Sequence, residues 1–278
     1  MKKKILLFIF IFFSFSVFSQ EKEKIKGTKI VTVTQKEITD FINLEVEDNI
    51  EIFLVKGDKC GIEIEADDNL HDAIQINTIG KTLELSCSKE VVSSKKFSVR
   101  VTYTNDFKML IVKNKANITA LAEISLNDFT IKCFDESKIF AYAKINNFTL
   151  MANDKSKIEL NLKSEQTTIE LSKNSKLKAL ISSNQLTLDM YQKTNAIIEG
   201  DALNLKLRLD NNAEFLGKNF SAKNAEIITE GYVNCSIQVT VKASIEASGK
   251  SEIQLFGDQK IDLRSFNDNA ILYKKTLK

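Results

Sequence analysis

Residues 147–165, NFTLMANDKSKIELNLKSE, carry apolar side chains at alternate positions: Phe148, Leu150 and Ala152, then Ile158, Leu160 and Leu162 after a polar break. The next nineteen residues, QTTIELSKNSKLKALISSN, repeat the arrangement. Period two is the pattern of a strand with one buried face, so each block predicts strand, turn, strand, turn. With the serine before lysine as a register mark, the copies are marked by Ala116, Ser137, Ser156, Ser175, Thr194, Ala213, Val233, Ser251 and Asn269. The intervals are 21, 19, 19, 19, 19, 20, 18 and 18 residues.

The columns of this register are chemically uniform. Six residues before the mark stand Leu110, Ile131, Leu150, Ile169, Leu188, Leu207, Ile227, Ile245 and Leu263, all Leu or Ile. Two residues after it stand Ile118, Ile139, Ile158, Leu177, Ala196, Phe215, Cys235, Ile253 and Ile271, all apolar. Two residues before it stand Asn114, Asp135, Asp154, Lys173, Gln192, Asn211, Gly231, Gly249 and Asn267. Most of these residue types turn a chain cheaply, through positive φ or bonds from side chain to backbone.

One copy cannot bury its own apolar face, so it must stack on the next. The expected fold is all-β, a single-stranded β-solenoid (parallel β-helix) of about nine rungs of 18–21 residues, spaced roughly 4.8 Å apart. Each buried aliphatic would contribute about 1.5–3 kcal/mol. The competing architecture is an antiparallel β-sandwich, against which stand the regular spacing and the lack of proline and of Asn-Gly hairpin turns. Residues 28–105 alternate too, in VTVT, LEVEDNIEIFLV, GIEIEA, TLELSC and FSVRVTY, but without the period. They are expected to form the cap and first turns of the same body, with a helical turn at DDNLHDAI capped by Asp67 or Asp68. The expected organisation is therefore a single domain over 20–278, irregular over 28–105 and regular over 106–278.

The N-terminus changes where this body should reside. MKKKILLFIFIFFSFSVFSQ has three lysines, an apolar run from Ile5 to Phe13 and a small, polar end. That order predicts a secretory signal peptide over 1–19, cut near Ser19 or Gln20. Its apolar run is short of the roughly 20 residues of a membrane span. The mature chain is expected in the periplasm, on the outer cell surface or secreted, with no transmembrane segment. Lys and Arg number 39 against 37 Asp and Glu, and no basic stripe interleaved with aromatics singles out nucleic acid. Of the four cysteines, Cys60, Cys87, Cys133 and Cys235, all share parity with inward apolar residues. They are expected to pack as small hydrophobes, with a Cys60–Cys87 disulfide as the leading exception.

The succession Val55-Lys56-Gly57-Asp58, then Ile62-Glu63-Ile64-Glu65-Ala66-Asp67-Asp68-Asn69-Leu70, then FSVRVTY and the recurrent small-Lys turns resembles the GIN-domain family over about residues 36–275. That family is a head domain of auto-transporter adhesin-like proteins, exported and common in Bacteroidetes. The resemblance implies a β-solenoid and adhesion, and transfers no catalytic residue. Turns like Ala247-Ser248-Gly249-Lys250-Ser251 are the family's form, whereas most turns here carry Asn, Asp or Lys instead.

Candidate chemistry is sparse. His71 is the sole histidine, and no G-x-S-x-G elbow accompanies it. Glu65, Asp67, Asp68 and Asp72 form an acidic cluster with the ligand type of calcium but not the spacing of an EF-hand. Glu170, Asp189 and Arg208, outward on successive rungs, are the best catalytic constellation, and adjacent carboxylates perturb one another. Ser137, Ser156, Ser175 and Thr194 either present hydroxyls to sugar or fill tight turns. No cofactor or metal is expected. By strand parity Ile111, Phe134, Phe140, Tyr142 and Met151 face outward, whereas later rungs place Arg208, Asp210, Lys218 and Glu246 at comparable positions. Such a cluster is rarely left bare. Either residues 28–105 fold back over it, the favoured reading, or it is a self-association site or a site for a partner, a glycan or a protein. The sequence thus predicts a non-catalytic, adhesin-like binding protein. A carbohydrate-active β-helix enzyme (polysaccharide lyase or hydrolase) and a structural envelope component are the alternatives.

Overall fold

A computed structural model describes residues 22–276; the predicted signal peptide lies outside the described residues. The chain forms a β-solenoid of about nine turns. Its strands are β1 Lys24–Lys26, β2 Val31–Lys36, β3 Asn43–Val46, β4 Glu51–Lys56, β5 Gly61–Asp67, β6 Ile74–Ile79, β7 Thr82–Cys87, β8 Glu90–Ser93 and β9 Phe97–Tyr103. The rungs follow as β10 Met109–Val112, β11 Asn117–Ala120, β12 Ile124–Cys133, β13 Lys138–Ala152, β14 Lys157–Leu171, β15 Lys176–Met190, β16 Asn195–Asp210, β17 Glu214–Glu230 and β18 Asn234–Ala247. The last turn is β19 Glu252–Phe256, β20 Lys260–Phe266 and β21 Ile271–Lys275.

Each long strand bends once. In β13 the alternation of buried and exposed residues changes phase at Asn146–Asn147, so inward Ile139, Ala141, Ala143 and Ile145 are followed by inward Phe148, Leu150 and Ala152. The two arms belong to two walls, here called the first and second, that share one core. The wall pairings are parallel from β10 and β11 through β21, in register except at bulges in the β16–β17, β17–β18 and β18–β20 pairings, which excludes the sandwich. The column six before the mark is a ladder from Leu110 to Leu263, and Leu44 and Leu83 extend it beyond Leu110. Its members from Leu83 to Ile245 are at most 2% exposed.

The turn column is equally regular. Asp48, Asn114, Asp135, Asp154, Lys173, Gln192, Asn211, Gly231, Gly249 and Asp268 all have φ between 50° and 80°. The left-handed conformation reverses the chain within one residue, which suits Gly, Asn and Asp. Asn267 was expected at the end of this column and Asp268 occupies it. The cause is a bulge: Ile245 pairs with Leu263 but Glu246 pairs with Ser265, so Arg264 is an extra residue. The last mark is therefore Ala270 rather than Asn269, and Leu272 rather than Ile271 stacks on Ile253.

Strands β2–β7 and β9 do not fold back over the side of the solenoid, while β1 and β8 pair in parallel only with each other, and Lys22, Lys89 and Val91 line a cavity with the turn residues Asn114, Asp135 and Asp154. β3 and β4 form one rung against β10 and β11, and β7 and β9 form the rung outside it. Beyond these, β5 and β6 add antiparallel to β9 and β7, and β2 adds antiparallel to β5. The helical turn is a 3₁₀ helix over Asp68–Ala73, which buries Leu70 and Ala73. Asp67 precedes it but makes no side-chain cap bond. Its buried carboxylate instead accepts backbone N–H bonds from Lys29 at 2.9 Å and from Lys95 and Lys96 at 3.0 Å. Burial pulls the Asp67 carboxyl upward, but the bonds from Lys96, Lys95 and Lys29 outweigh it and hold the carboxyl below its usual value. A Cβ on Gly27 would stand 2.0 Å from Asp67 Oδ2, so only glycine lets the segment between β1 and β2 close on the carboxylate.

All four cysteines are free thiols; Cys87, Cys133 and Cys235 are buried and Cys60 is half-buried. Burial pushes the Cys235 thiol up to about 12, and burial together with the nearby Asp48 charge does the same for Cys87.

Candidate binding face

Outward positions on the first wall include those three and five after the mark. The first column runs Phe140, Glu159, Lys178, Ile197, Leu216, and the second Tyr142, Asn161, Leu180, Glu199. Phe140 is 39% and Tyr142 45% exposed, and their rings meet edge to face with centroids 5.1 Å apart. Leu180 and Ile197 are exposed beside them. A shallow depression of about 330 Å³ is lined by Phe140, Tyr142, Leu180 and Ile197, with Glu159 and Asn161 on the rung between the aromatic pair and Leu180 and with Lys178 and Glu199 alongside. Its floor is in-register backbone, so the side chains stand at fixed spacings. Aromatic and aliphatic surface with interspersed carboxylate, amide and ammonium groups can stack on a flat ligand and hydrogen-bond its edges.

The five residues singled out from the sequence do not form one patch. Phe140 and Tyr142 are together. Ile111 and Met151 share a ladder two rungs apart on the second wall, through Lys132. Phe134 is half-buried at the turn between the walls. Residues 22–105 do not cover Phe140 and Tyr142, which stay exposed, contrary to the favoured expectation, because strands β2–β7 and β9 extend the solenoid end-on. Nor is the first wall apolar only near its N-terminal rungs: Leu180, Ile197 and Leu216 carry the apolar surface onward. These three were legible in the sequence, since the columns three and five after the mark contain them.

Among the other candidates, Glu170, Asp189 and Arg208 are ladder neighbours as expected. Burial pushes the Asp189 carboxyl up, and the Arg208 charge pulls it partly back. Arg208 also lies 5.9 Å over the Tyr191 ring. Three members of the acidic cluster are engaged by the protein, Asp67 as described, Asp68 by the Thr28 hydroxyl, and Glu65 by Lys96 at 3.6 Å, while Asp72 is exposed. His71 Nε2 lies 2.8 Å from the Thr32 hydroxyl and ties β2 to the 3₁₀ helix. Ser137, Ser156, Ser175 and Thr194 are buried, so they fill the turn and present nothing to sugar. The amides at the bend were not foreseen: Asn146 donates to Asn127 at 2.7 Å and Asn224 to Asn204 at 3.1 Å, linking successive rungs. No described helix is long and apolar enough to cross a membrane.

A filled solenoid that meets solvent through its walls and ends defines the class: an all-β ladder whose accessible chemistry is its outer surface. The chain belongs to the family described as "Putative auto-transporter adhesin, head GIN domain", whose model matches residues 40–258. Solved structures share the fold. A "putative adhesin" from Parabacteroides merdae is 16% identical with a TM-score of 0.61, over 92% of this chain and all of that one. A "putative adhesin" from Parabacteroides distasonis is 16% identical with a TM-score of 0.63, over 91% of this chain and all of that one. A "Putative lipid binding protein" from Parabacteroides distasonis is 14% identical with a TM-score of 0.58, over 92% and 100%. No curated protein matches the chain.

Proposed function

We propose that this is an exported, non-catalytic adhesin-like module that binds a glycan or protein at a cell surface through the first wall. The observation that carries the reading is the exposed Phe140–Tyr142 pair, with Leu180 and Ile197 exposed on the same wall beyond the polar rung of Glu159 and Asn161. Apolar surface of this kind on a soluble protein marks a contact site. Membership of the adhesin-head family and a basic-apolar-small N-terminus support the same reading. The near-neutral charge supports a partner other than nucleic acid.

The test is a glycan and host-matrix binding array on the mature chain, run beside Phe140→Ser, Tyr142→Ser. The double variant is expected to keep its melting transition and lose binding at least tenfold. Binding unchanged in the variant removes the face from the proposal, and no binding on any array favours a structural envelope component. Mass spectrometry of the protein from its host should find a new N-terminus near Gln20; intact Met1 refutes export by cleavage. A second reading has one observation in its favour, the raised carboxyl of Asp189 beside Glu170 and Arg208. Polysaccharide cleavage abolished by Asp189→Asn would establish it.

A further inference from the structure

The outermost turn is built unlike its neighbours. Four residues carry the chain from the second wall to the first at 47–50, at 113–116 and at 134–137. Nine do so in the outermost rung, residues 88–96 between Cys87 and Phe97. The longer connection runs out as β8, which pairs in parallel with β1 and sets Val91 beside Ile25. Both side chains are half-buried against the core. Lys22, just before β1, fastens the ribbon by bonds to Asp48 at 2.5 Å and to the Cys87 carbonyl at 2.7 Å. The ribbon therefore stands beside the turns, and a cavity of about 570 Å³ lies between the two. Small-molecule sites are clefts of about 300–1,000 Å³ with a few convergent polar groups.

Glu90 and Val91 line the ribbon side of this cavity, and the turns line the other, from Asn49 through Asn114 and Asp154 to Asn174. Those turns belong to five successive rungs, four steps of about 4.8 Å, so the cavity is a groove along the axis of the solenoid. No residue lines both this groove and the first-wall depression.

The charges of the groove are matched within the protein. Lys22 pairs with Asp48, Lys155 with Glu136 at 3.3 Å, Lys173 with Asp154 at 2.9 Å, Lys89 with Glu23 at 3.1 Å and Lys24 with Glu90 at 3.8 Å. Asp135 accepts the Asn114 backbone N–H at 2.9 Å. Lys115 is the one charged lining group with no such partner among the described residues, and Glu136 holds the same position on the next rung, where it opposes an anion. What the groove leaves free is neutral. The side-chain amides of Asn49, Asn114 and Asn174 are exposed and make no hydrogen bond among the described residues. An amide both donates and accepts, as a sugar hydroxyl does. The turn backbone is already bonded from rung to rung, as from the Glu136 N–H to the Asn114 carbonyl at 2.8 Å, so it offers no strand edge to a peptide. We propose that this groove is a second binding site, independent of the first wall, and that its ligand is a neutral oligosaccharide lying along the turns.

The test is calorimetric titration of the mature chain with cellohexaose, xylohexaose, mannohexaose and chitohexaose, and with oligogalacturonate as the charged counterpart. At least one neutral probe should bind with a Kd of about 1 mM or tighter, and oligogalacturonate at least tenfold more weakly. Asn114→Gly with Asn174→Ala removes two of the amides, and glycine keeps the left-handed backbone at 114, where φ is 56°. Val91→Trp fills the groove from the ribbon side. Each variant should weaken binding at least tenfold with the melting transition in place, and Phe140→Ser, Tyr142→Ser should leave it unchanged. No binding of any neutral probe overturns the proposal, as does oligogalacturonate binding equally well or better. Binding that survives both groove variants, or that is lost in Phe140→Ser, Tyr142→Ser, overturns the groove as the site and leaves the first-wall reading standing.

Discussion

The regular rungs and the N-terminal end share the same buried columns but fill them by different means. From β10 to β18 each inward residue stacks on one about nineteen positions away, and one left-handed residue, or two at Gln192–Lys193 and Asn211–Asn212, reverses the chain at each turn. At the N-terminal end Leu83 stacks on Leu44 and Val99 meets Ile52, although the winding order there is inverted. Residues 43–56 form the inner rung and residues 82–103 the outer one, with an antiparallel excursion between them. A periodic ladder needs only copies of itself. Ending the ladder needs groups that no repeat supplies, and here these are the 3₁₀ helix and the Asp67 carboxylate with its three backbone donors.

The comparison breaks most severely at Ile169, fully buried in mid-column. Ile169→Asp buries a charge with no partner and should cost more than about 4 kcal/mol, abolishing the cooperative melt. Leu263→Asp, in the same column but exposed, should leave melting nearly unchanged. Equal loss in both would mean that the column is not the core.

Loss of Asp67 should act locally. Asp67→Asn leaves three backbone donors poorly matched, so β1 and β2 should become sensitive to trypsin at Lys26 and Lys29 while the rungs still melt together. The pH dependence has a definite sign. A carboxyl held below its usual value in the folded state stabilises fully above its unfolded value of about 4. That contribution is lost as the pH falls through the lower folded value. Amide exchange at Lys95 and Lys96 should therefore accelerate on acidification below about pH 4 in the wild type and show no such step in Asp67→Asn.

The thiols sharpen the comparison further. Cys133 and Cys235 lie within the rungs and Cys60 at the cap, where it is half-buried. A thiol reagent should modify Cys60 in the folded protein and Cys133 and Cys235 only after denaturation. Early reaction of Cys235 would show that the rungs open more readily than the cap.

The smallest effects belong to the turns. Lys173 and Gln192 hold φ of 50° and 58° without being residues that favour it. Lys173→Gly should raise stability by up to about 1 kcal/mol, the left-handed penalty less the entropy of glycine. Gly249→Ala should do the reverse, since its φ is 72° and a Cβ there would come within 2.8 Å of Gly231. Chemical denaturation resolves both.

The period, the strand parity, the inward columns and the turn positions were legible in the chain, because each depends on residues a few positions apart or on a repeat that must stack on itself. Leu150, Ile169, Leu188 and Leu207 could be aligned without coordinates for that reason. The outward residues of the candidate face were legible as well: parity sets Phe140 and Tyr142 outward, and it sets Leu180 and Ile197 outward by the same rule. What parity cannot tell is which wall an outward residue belongs to, so Ile111 and Met151 were grouped with a face they do not share. Only the tertiary structure decided that residues 82–103 lie outside residues 43–56, because pairing between distant strands has no local signature. It likewise decided that Asp67 serves backbone amides rather than the helix it precedes. The slip at Arg264 belongs to the same class, since a bulge is defined by what its neighbour across the ladder leaves unpaired.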